Sequence, residues 1–204
     1  MRPRLSHLLL LGCALSAWGT APAAAQPGAP RFELNVERVV GAEGDKVYRI
    51  ASSGTVAAAP ALVWRILTDY EHLADYLPNL TSTRVVSRDG DTVILEQLGT
   101  ARFLFFSQPI RIVVQVRERA PDRIDVSLVE GDMKVYRARW ELIPVTGTSG
   151  TRLVYNATIV PKFGVPGIVG TNAVRKDIAR MMAAVLLRLD RQDQQPDSGL
   201  GPGL

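Results

Sequence analysis

The stretch that decides the fold is KFGVPGIVGTNAVRKDIARMMAAVLLRLDR, residues 162–191. At 100° per residue its apolar side chains fall in one stripe, with Met182 on the shoulder, while Lys176 and Arg180 fall opposite. The residues of the stripe are Val174, Ile178, Met181, Val185 and Leu189. This pattern predicts one long amphipathic helix over residues 167–191.

The chain before this helix has the alternation of short β-strands, interrupted once by helical spacing. A first hairpin is predicted over residues 32–56, with its turn at residues 41–45. Pro60 then opens a short helix, and Asp69 is a candidate cap for a second one. Seven strands are predicted between residues 83 and 160, one of them over residues 101–106. The sequence therefore predicts an antiparallel sheet covered mainly by the long C-terminal helix.

Alternation also assigns the two faces of the later strands. The side predicted to meet the helix carries Ile112, Val114, Val116, Ile124, Val126, Tyr136, Ala138, Trp140, Leu142, Leu153, Tyr155 and Ala157. The opposite side carries mostly charged residues, among them Arg117, Asp125, Arg137 and Arg139. One face of the sheet is thus expected to be exposed to solvent, and the other to be buried against the helix.

The first 25 residues have the organisation of a secretory signal peptide. Arg2 and Arg4 precede an apolar segment too short to cross a bilayer, and residues 23–25 are three alanines before Gln26. Cleavage after Ala25 predicts a periplasmic or secreted protein.

A second cleavage site is open, because residues 10–13, Leu-Leu-Gly-Cys, loosely resemble a lipobox that would leave a lipidated Cys13. The short apolar segment before it favours cleavage after Ala25 instead. Cys13 is the only cysteine, so the mature chain would contain no disulfide and no thiolate metal site.

The length and charge of the remaining chain indicate one ordinary globular domain. Removing Arg2 and Arg4 leaves 22 basic and 20 acidic residues, with no basic run, which argues against a nucleic-acid partner. We predict a flexible leader over residues 26–31, one domain over residues 32–191 and a disordered tail over residues 192–204.

Residues that carry catalysis are scarce. His72 is the only histidine after the leader and is expected to be exposed without a role. No nucleophile elbow, phosphate-binding glycine loop or metal-ligand cluster appears. Glu130, Asp132 and Arg102 lie near strand ends, where charges are usually solvated. We predict no catalytic residue, no metal and no cofactor.

Large and small apolar residues alternate where the sheet and the long helix should meet, a pattern that suits a ligand pocket. The predicted ligand-binding residues are Tyr136, Trp140, Tyr155, Ala157, Val174, Ile178, Met181, Met182 and Val185. The alternative is that these side chains simply fill the core.

The segment before the helix combines glycines with bulky apolar residues, so it can change conformation at the expected pocket mouth. The predicted gate residues are Phe163, Gly164, Pro166, Gly167 and Gly170. The alternative is that these residues only start the helix.

Three stretches carry a resemblance to a known family. They are AAAPALVWRILTDYEHLADYLPNLTSTRVV (57–86), EGDMKVYRARWELIP (130–144) and GTRLVYNATIVPKFGVP (150–166), followed by the long helix. In this order they resemble the START-like superfamily, also called SRPBCC, and within it the polyketide cyclase/dehydrase and coenzyme Q-binding branch. The resemblance implies an α+β helix-grip fold: a curved antiparallel sheet wrapped around the C-terminal helix, with two short helices after the first strands. It also implies a hydrophobic cavity between sheet and helix.

The function predicted from these observations is a carrier for a hydrophobic small molecule, such as a lipid or a quinone. One alternative is a cyclase or dehydratase for an aromatic polyketide-like substrate, which would need a buried acid or base. Another is an interaction module that docks on a membrane complex or transiently contacts a membrane surface. The nearly apolar set of inward residues favours the carrier, and the oligomeric state is left open.

Overall fold

The computed structural model describes residues 30–102, 107–165 and 167–194. Its strands are β1 (Phe32–Val40), β2 (Lys46–Val56), β3 (Leu80–Asp89), β4 (Thr92–Arg102), β5 (Ser107–Arg119), β6 (Arg123–Gly131), β7 (Met133–Pro144) and β8 (Thr151–Pro161). Its helices are α1 (Pro60–Leu67), a short 3₁₀ helix (Tyr70–Asp75) and α2 (Gly167–Asp193). The predicted α+β class, with two short helices after the first hairpin, is confirmed.

All eight of these strands form a single antiparallel sheet in the order β1-β2-β8-β7-β6-β5-β4-β3. Strands β3 to β8 follow one another as a meander, and β8 returns to pair with β2. Residues more than 100 positions apart thereby become neighbours, as in the pair Arg49 and Thr158. The curved sheet and α2 reproduce the expected helix-grip arrangement.

Helix α2 contains 27 residues, so it is about 40 Å long. Its buried side has Met182, Val185, Leu186 and Leu189 at 0 to 1% exposure. Met182 lies at the centre of this stripe and not on its shoulder, where it packs against Val36 of β1 and Ile50 of β2. The helix continues to Asp193, two residues past the predicted end at residue 191.

The predicted buried face of the sheet packs as alternation indicates, with Val114, Ile124, Leu142 and Leu153 all buried. Val113 is an exception, since it is buried as well although it lies between two inward residues. The register of β5 and β6 shifts by one residue at this point. Such a bulge leaves one extra residue, Val129 of β6, without a partner on β5.

Two local predictions need correction. Ala101 and Arg102 end β4, paired with Gln108 and Ser107, and do not begin a separate strand. Asp69 precedes the 3₁₀ helix, but its side chain makes no capping hydrogen bond. The carboxylate bonds the His72 ring instead.

Several predictions concern residues outside the described ranges. They are the signal peptide over residues 1–25, leader residues 26–29, the end of the 101–106 strand at residues 103–106, the gate residue Pro166 and tail residues 195–204.

Candidate functional site

Two cavities lie between the sheet, the short helices and α2. The first, of about 200 Å³, reaches from the short helices to the middle of the sheet and to Met181 and Val185 of α2. The second, of about 220 Å³, reaches from the middle of the sheet to Phe163 and the start of α2. Both are lined mainly by apolar side chains, with a smaller number of polar ones.

The two cavities are adjacent compartments of one chamber. They share Asn79, Leu80, Gln97 and Tyr136 in their walls. Either volume alone is below the roughly 300 to 1,000 Å³ typical of small-molecule sites, whereas the two volumes together fall within it. The four shared side chains therefore form a partition in a chamber of ligand size.

Two tyrosines place hydroxyl groups beside this partition. Tyr136 of β7 and Tyr155 of β8 share a hydrogen bond, and burial raises the pKa of both phenols, so both are neutral at physiological pH. The Tyr155 ring also packs against Trp140, with ring centroids 4.5 Å apart. A rigid aromatic wall with a polar tip thus faces the middle of the chamber.

Gln97 of β4 is a further polar group in the partition, and the sequence analysis did not identify it. Its side chain makes no hydrogen bond to any residue in the described part of the chain. Leu95, two positions earlier on the same strand, is buried at 1% exposure. In the sequence, Gln97 lies two positions after Leu95, so strand alternation places both side chains on the inward face of the sheet. This spacing is the signal that could have identified Gln97 as a site residue.

The short helices supply two more tyrosines that the sequence analysis did not assign to the site. Tyr70 and Tyr76 both line the first cavity. The Tyr70 hydroxyl donates to Glu118 Oε1 at 2.8 Å, and burial is the main reason that the pKa of Tyr70 is raised. Burial raises the pKa of Tyr76 in the same way. The short helices therefore close one end of the chamber with neutral aromatic rings.

Most predicted ligand-binding residues reach the chamber. Those lining it are Tyr136, Trp140, Tyr155, Val174, Ile178, Met181 and Val185. Met182 and Ala157 line neither compartment and pack together in the core with Val36 and Ile50. The structure therefore corrects the predicted ligand-binding positions of Met182 and Ala157: α2 turns Met181 toward the first cavity and Met182 toward Val36 and Ile50.

The segment before α2, residues 162–165, is the lead-in segment. Phe163 lines the second cavity, while Gly164 is exposed with open space around it. The segment is held at both ends: the Lys162 N–H donates to Asp132 O at 3.0 Å, and Lys46 Nζ donates to Val165 O. Only Phe163 and Gly164 lie between these two anchors.

Gly170 has a packing role in the structure. A Cβ atom there would lie 2.5 Å from Val165 Cγ1 and 2.6 Å from the Tyr48 hydroxyl, closer than atoms pack. Tyr48 is fully buried, and its hydroxyl has no hydrogen-bond partner among the described residues. The absence of a side chain at Gly170 lets α2 approach β2, whereas Gly167 is the first residue of the helix.

The charged residues considered from sequence are engaged outside the chamber. Glu130 pairs with Arg111 at 3.0 Å, and Asp132 Oδ2 accepts from the Arg111 N–H at 2.8 Å. Arg102 donates to the Pro78 carbonyl at 3.3 Å. His72 is exposed and bonds Asp69 at 2.7 Å. Within the described ranges no group of histidine, cysteine or carboxylate side chains is arranged to hold a metal.

Neither α2 nor any other helix in the described ranges is both long enough and apolar enough to span a bilayer.

Comparison with known proteins gives one family match. The profile of the family described as polyketide cyclase / dehydrase and lipid transport matches residues 56–186, from the end of β2 to the last third of α2. No curated protein matches the chain.

Solved structures share the fold at low identity. A START superfamily protein from Mycobacterium smegmatis is 19% identical, with a TM-score of 0.62 over 71% of this chain and 98% of its own. The Zhui aromatase/cyclase from Streptomyces sp. R1128 is 15% identical, with a TM-score of 0.58 over 73% and 94%. The human StAR-related lipid transfer protein 5 is 14% identical, with a TM-score of 0.59 over 83% and 90%. These similarities show that the backbone arrangement is common to all of them.

Proposed function

This chain belongs to the polyketide cyclase/dehydrase and lipid transport family, and we propose that it binds a hydrophobic small molecule between the sheet and α2 and carries or shields it. The observation that carries the proposal is the divided chamber, whose compartments of about 200 and 220 Å³ have mainly apolar walls. Burying apolar ligand surface contributes about 25 cal/mol per Å², so such walls favour an apolar ligand.

The chemistry of the partition narrows the class of ligand. Gln97, Tyr136 and Tyr155 place an amide and two phenols near the middle of a mainly apolar space. Tyr136 and Tyr155 share a hydrogen bond, whereas the Gln97 amide makes none within the described chain. A ligand that buries this amide without bonding it would lose about 1 to 3 kcal/mol. The ligand we propose is therefore an elongated lipid or quinone-like molecule with a carbonyl or hydroxyl group near its middle.

A cyclase or dehydratase would need a positioned acid or base inside the chamber. Of the described residues lining the two compartments, Asp177 supplies the only carboxylate, and it is paired with Arg180 on the same helix. Burial raises the pKa of Tyr136 and Tyr155 there, so neither phenol is a base at physiological pH. These features support the carrier over the cyclase.

We propose the periplasm as the location, on the basis of the predicted signal peptide over residues 1–25. The supporting measurement is the intact mass of the protein isolated from its own host. A mass that begins at Gln26 supports export with cleavage after Ala25. A mass that begins at an acylated Cys13 contradicts that site and indicates a lipoprotein.

Native mass spectrometry of the same preparation tests the carrier proposal. We expect a co-purifying apolar molecule that is released on unfolding. A protein that carries no added mass, and that binds no apolar probe at micromolar concentration, contradicts the proposal.

A matched pair of variants tests the position of the site. Met181→Trp should fill the first cavity and weaken binding of an apolar fluorescent probe by about tenfold or more, corresponding to about 1.4 kcal/mol. Leu187→Trp is the control, because Leu187 lies on the same helix but is 40% exposed. Equal probe binding by both folded variants would place the ligand elsewhere.

A further inference from the structure

The outer face of the sheet holds a groove that the carrier function does not use. Its volume is about 860 Å³, several times that of either interior compartment. Six strands contribute to it, namely β1, β2, β8, β7, β6 and β5. Its floor consists of short or neutral polar residues, namely Ala51, Gln115, Ser127, Asn156 and Thr158.

Arginines dominate the walls of this groove. Arg49, Arg117, Arg119, Arg137 and Arg139 line it, against the carboxylates of Glu37, Asp125 and Glu141, an excess of two positive charges. The Asp125 carboxylate is already ion-paired, since Arg139 contacts it at 2.6 Å and Arg123 at 3.1 Å.

Three of the arginines have no acidic partner among the described residues. Arg49, Arg117 and Arg137 are exposed and form no ion pair or hydrogen bond with the rest of the described chain. Glu37 stands opposite Arg49 in the register of β1 and β2, yet the two side chains form no ion pair. The groove thus offers three guanidinium groups to a ligand.

The other half of the same face shows the ordinary arrangement of surface charges. Arg84 contacts Glu96 at 2.8 Å, and Arg111 contacts Glu96 at 2.8 Å and Glu130 at 3.0 Å. Two arginines and two glutamates there neutralise one another. The unpaired arginines of the groove are therefore a local feature and not a property of the whole face.

The register of the strands places the unpaired arginines beside neutral hydrogen-bonding groups. Thr158 stands between Arg49 and Arg137, and Ser127 stands on the other side of Arg137. These hydroxyls make no hydrogen bond within the described chain. The guanidinium group of an arginine binds a carboxylate through two parallel hydrogen bonds, and a neighbouring hydroxyl group can donate a third.

We propose that the outer groove is a docking site for an extended acidic segment of a partner protein. Arg49 on β2 and Arg117 on β5 are four strand spacings apart, about 19 Å. About six residues of extended chain cover that distance. A single small anion would reach only part of this row, and the hydroxyl and amide side chains of the floor suit a polypeptide, whose backbone offers hydrogen-bonding groups along its whole length.

The test uses the purified protein and a fluorescein-labelled oligoglutamate peptide, with oligoglutamine as the uncharged reference. We expect tighter binding of oligoglutamate at low salt, weakening as the ionic strength rises. Arg49→Gln and Arg137→Gln should each weaken binding by about three- to fivefold, the upper range for exposed ion pairs. Arg84→Gln removes the same charge from the same face but should change binding by less than about twofold, because Arg84 is paired with Glu96.

Three outcomes would overturn the proposal. They are equal binding of oligoglutamate and oligoglutamine, an equal loss in all three variants, and binding to phosphatidylglycerol vesicles that needs Arg49 and Arg137 while the peptide does not bind. Circular dichroism of each variant establishes that the exposed substitutions leave the fold intact. Retained binding of the apolar probe in these variants shows that the interior chamber is independent of the groove.

Discussion

Individual residues in this protein show how close packing decides what a position tolerates. Gly170 and Tyr48 touch where α2 approaches β2, and the buried Tyr48 hydroxyl has no hydrogen-bond partner in the described part of the chain. Burial raises the pKa of this phenol, so it remains a neutral group in the core. The contact leaves no room for a methyl group.

Gly170→Ala should therefore lower the free energy of unfolding by about 1 to 3 kcal/mol, the usual cost of overpacking a core. Chemical denaturation measures this change. Gly164→Ala is the matched control, because a Cβ atom there meets nothing within 4 Å. If both variants were equally stable, the helix would not be held against Tyr48 as described.

The titration of His72 is a second property of a single residue. The pKa of His72 is raised above 6.5, first because its ring is hydrogen-bonded to Asp69 and then by the negative charge of that carboxylate. The protonated ring is thus favoured in the folded state. The resulting stabilisation is fully present below pH 6.5 and is lost as the pH rises through the raised pKa of the folded state.

We expect an NMR titration midpoint for His72 above 6.5, and a lower midpoint in Asp69→Asn. Asp75→Asn should move the midpoint less, because Asp75 acts only through its more distant charge. A wild-type midpoint at or below 6.5 would contradict the hydrogen bond to Asp69.

At the scale of elements, the connection between β8 and α2 is fixed at two points. The Lys162 N–H bonds the Asp132 carbonyl, and the Lys46 ammonium bonds the Val165 carbonyl. Phe163 lies between these anchors and against the second cavity. The strength of the Lys46 anchor should therefore set how often this wall of the chamber opens.

Lys46→Met should increase amide hydrogen exchange in the lead-in segment by about three- to tenfold, since one hydrogen bond to a charged donor is lost. Association and dissociation of an apolar probe should both become faster, with a smaller change in affinity. Lys134→Met is the control, because Lys134 is an exposed lysine paired with Asp45 at 2.7 Å. Unchanged probe kinetics in Lys46→Met would mean that this segment is not a gate.

At the scale of the whole molecule, the sheet and α2 enclose a chamber whose length is interrupted by Tyr136. Helix α2 contributes Met181 and Val185 to one compartment and Val174 and Ile178 to the other. The length of ligand that fits thus depends on the side chain at position 136.

Tyr136→Ala should join the compartments and allow longer alkyl chains to bind, at a cost of about 3 kcal/mol in stability. Competition of a series of primary alcohols against the apolar probe measures the preferred chain length. Tyr136→Phe keeps the partition and removes only the hydroxyl, so its preferred length should match wild type. An unchanged preference in a folded Tyr136→Ala variant would contradict a divided chamber.

The amino-acid sequence alone determined the elements and their buried faces. The long helix, the first hairpin and the inward positions of Trp140 and Tyr155 follow from periods of 3.6 and 2 residues. These periods are local, because they depend only on the backbone geometry of each element. The family resemblance then supplied the way these elements pack, which the structure confirms.

The tertiary structure decided how the helix is rotated and what divides the chamber. The stripe of α2 is broad enough for either Met181 or Met182 to face the centre, and only contact with the curved sheet places Met182 in the core. Gln97 of β4 and Tyr136 of β7 line the same two compartments. Arg49 and Arg137 stand on either side of Thr158 because β8 lies between β2 and β7. These groupings bring together residues from distant parts of the chain, so they depend on strand order and sheet curvature. The hydrophobic periodicity of a single helix or strand does not determine either of these.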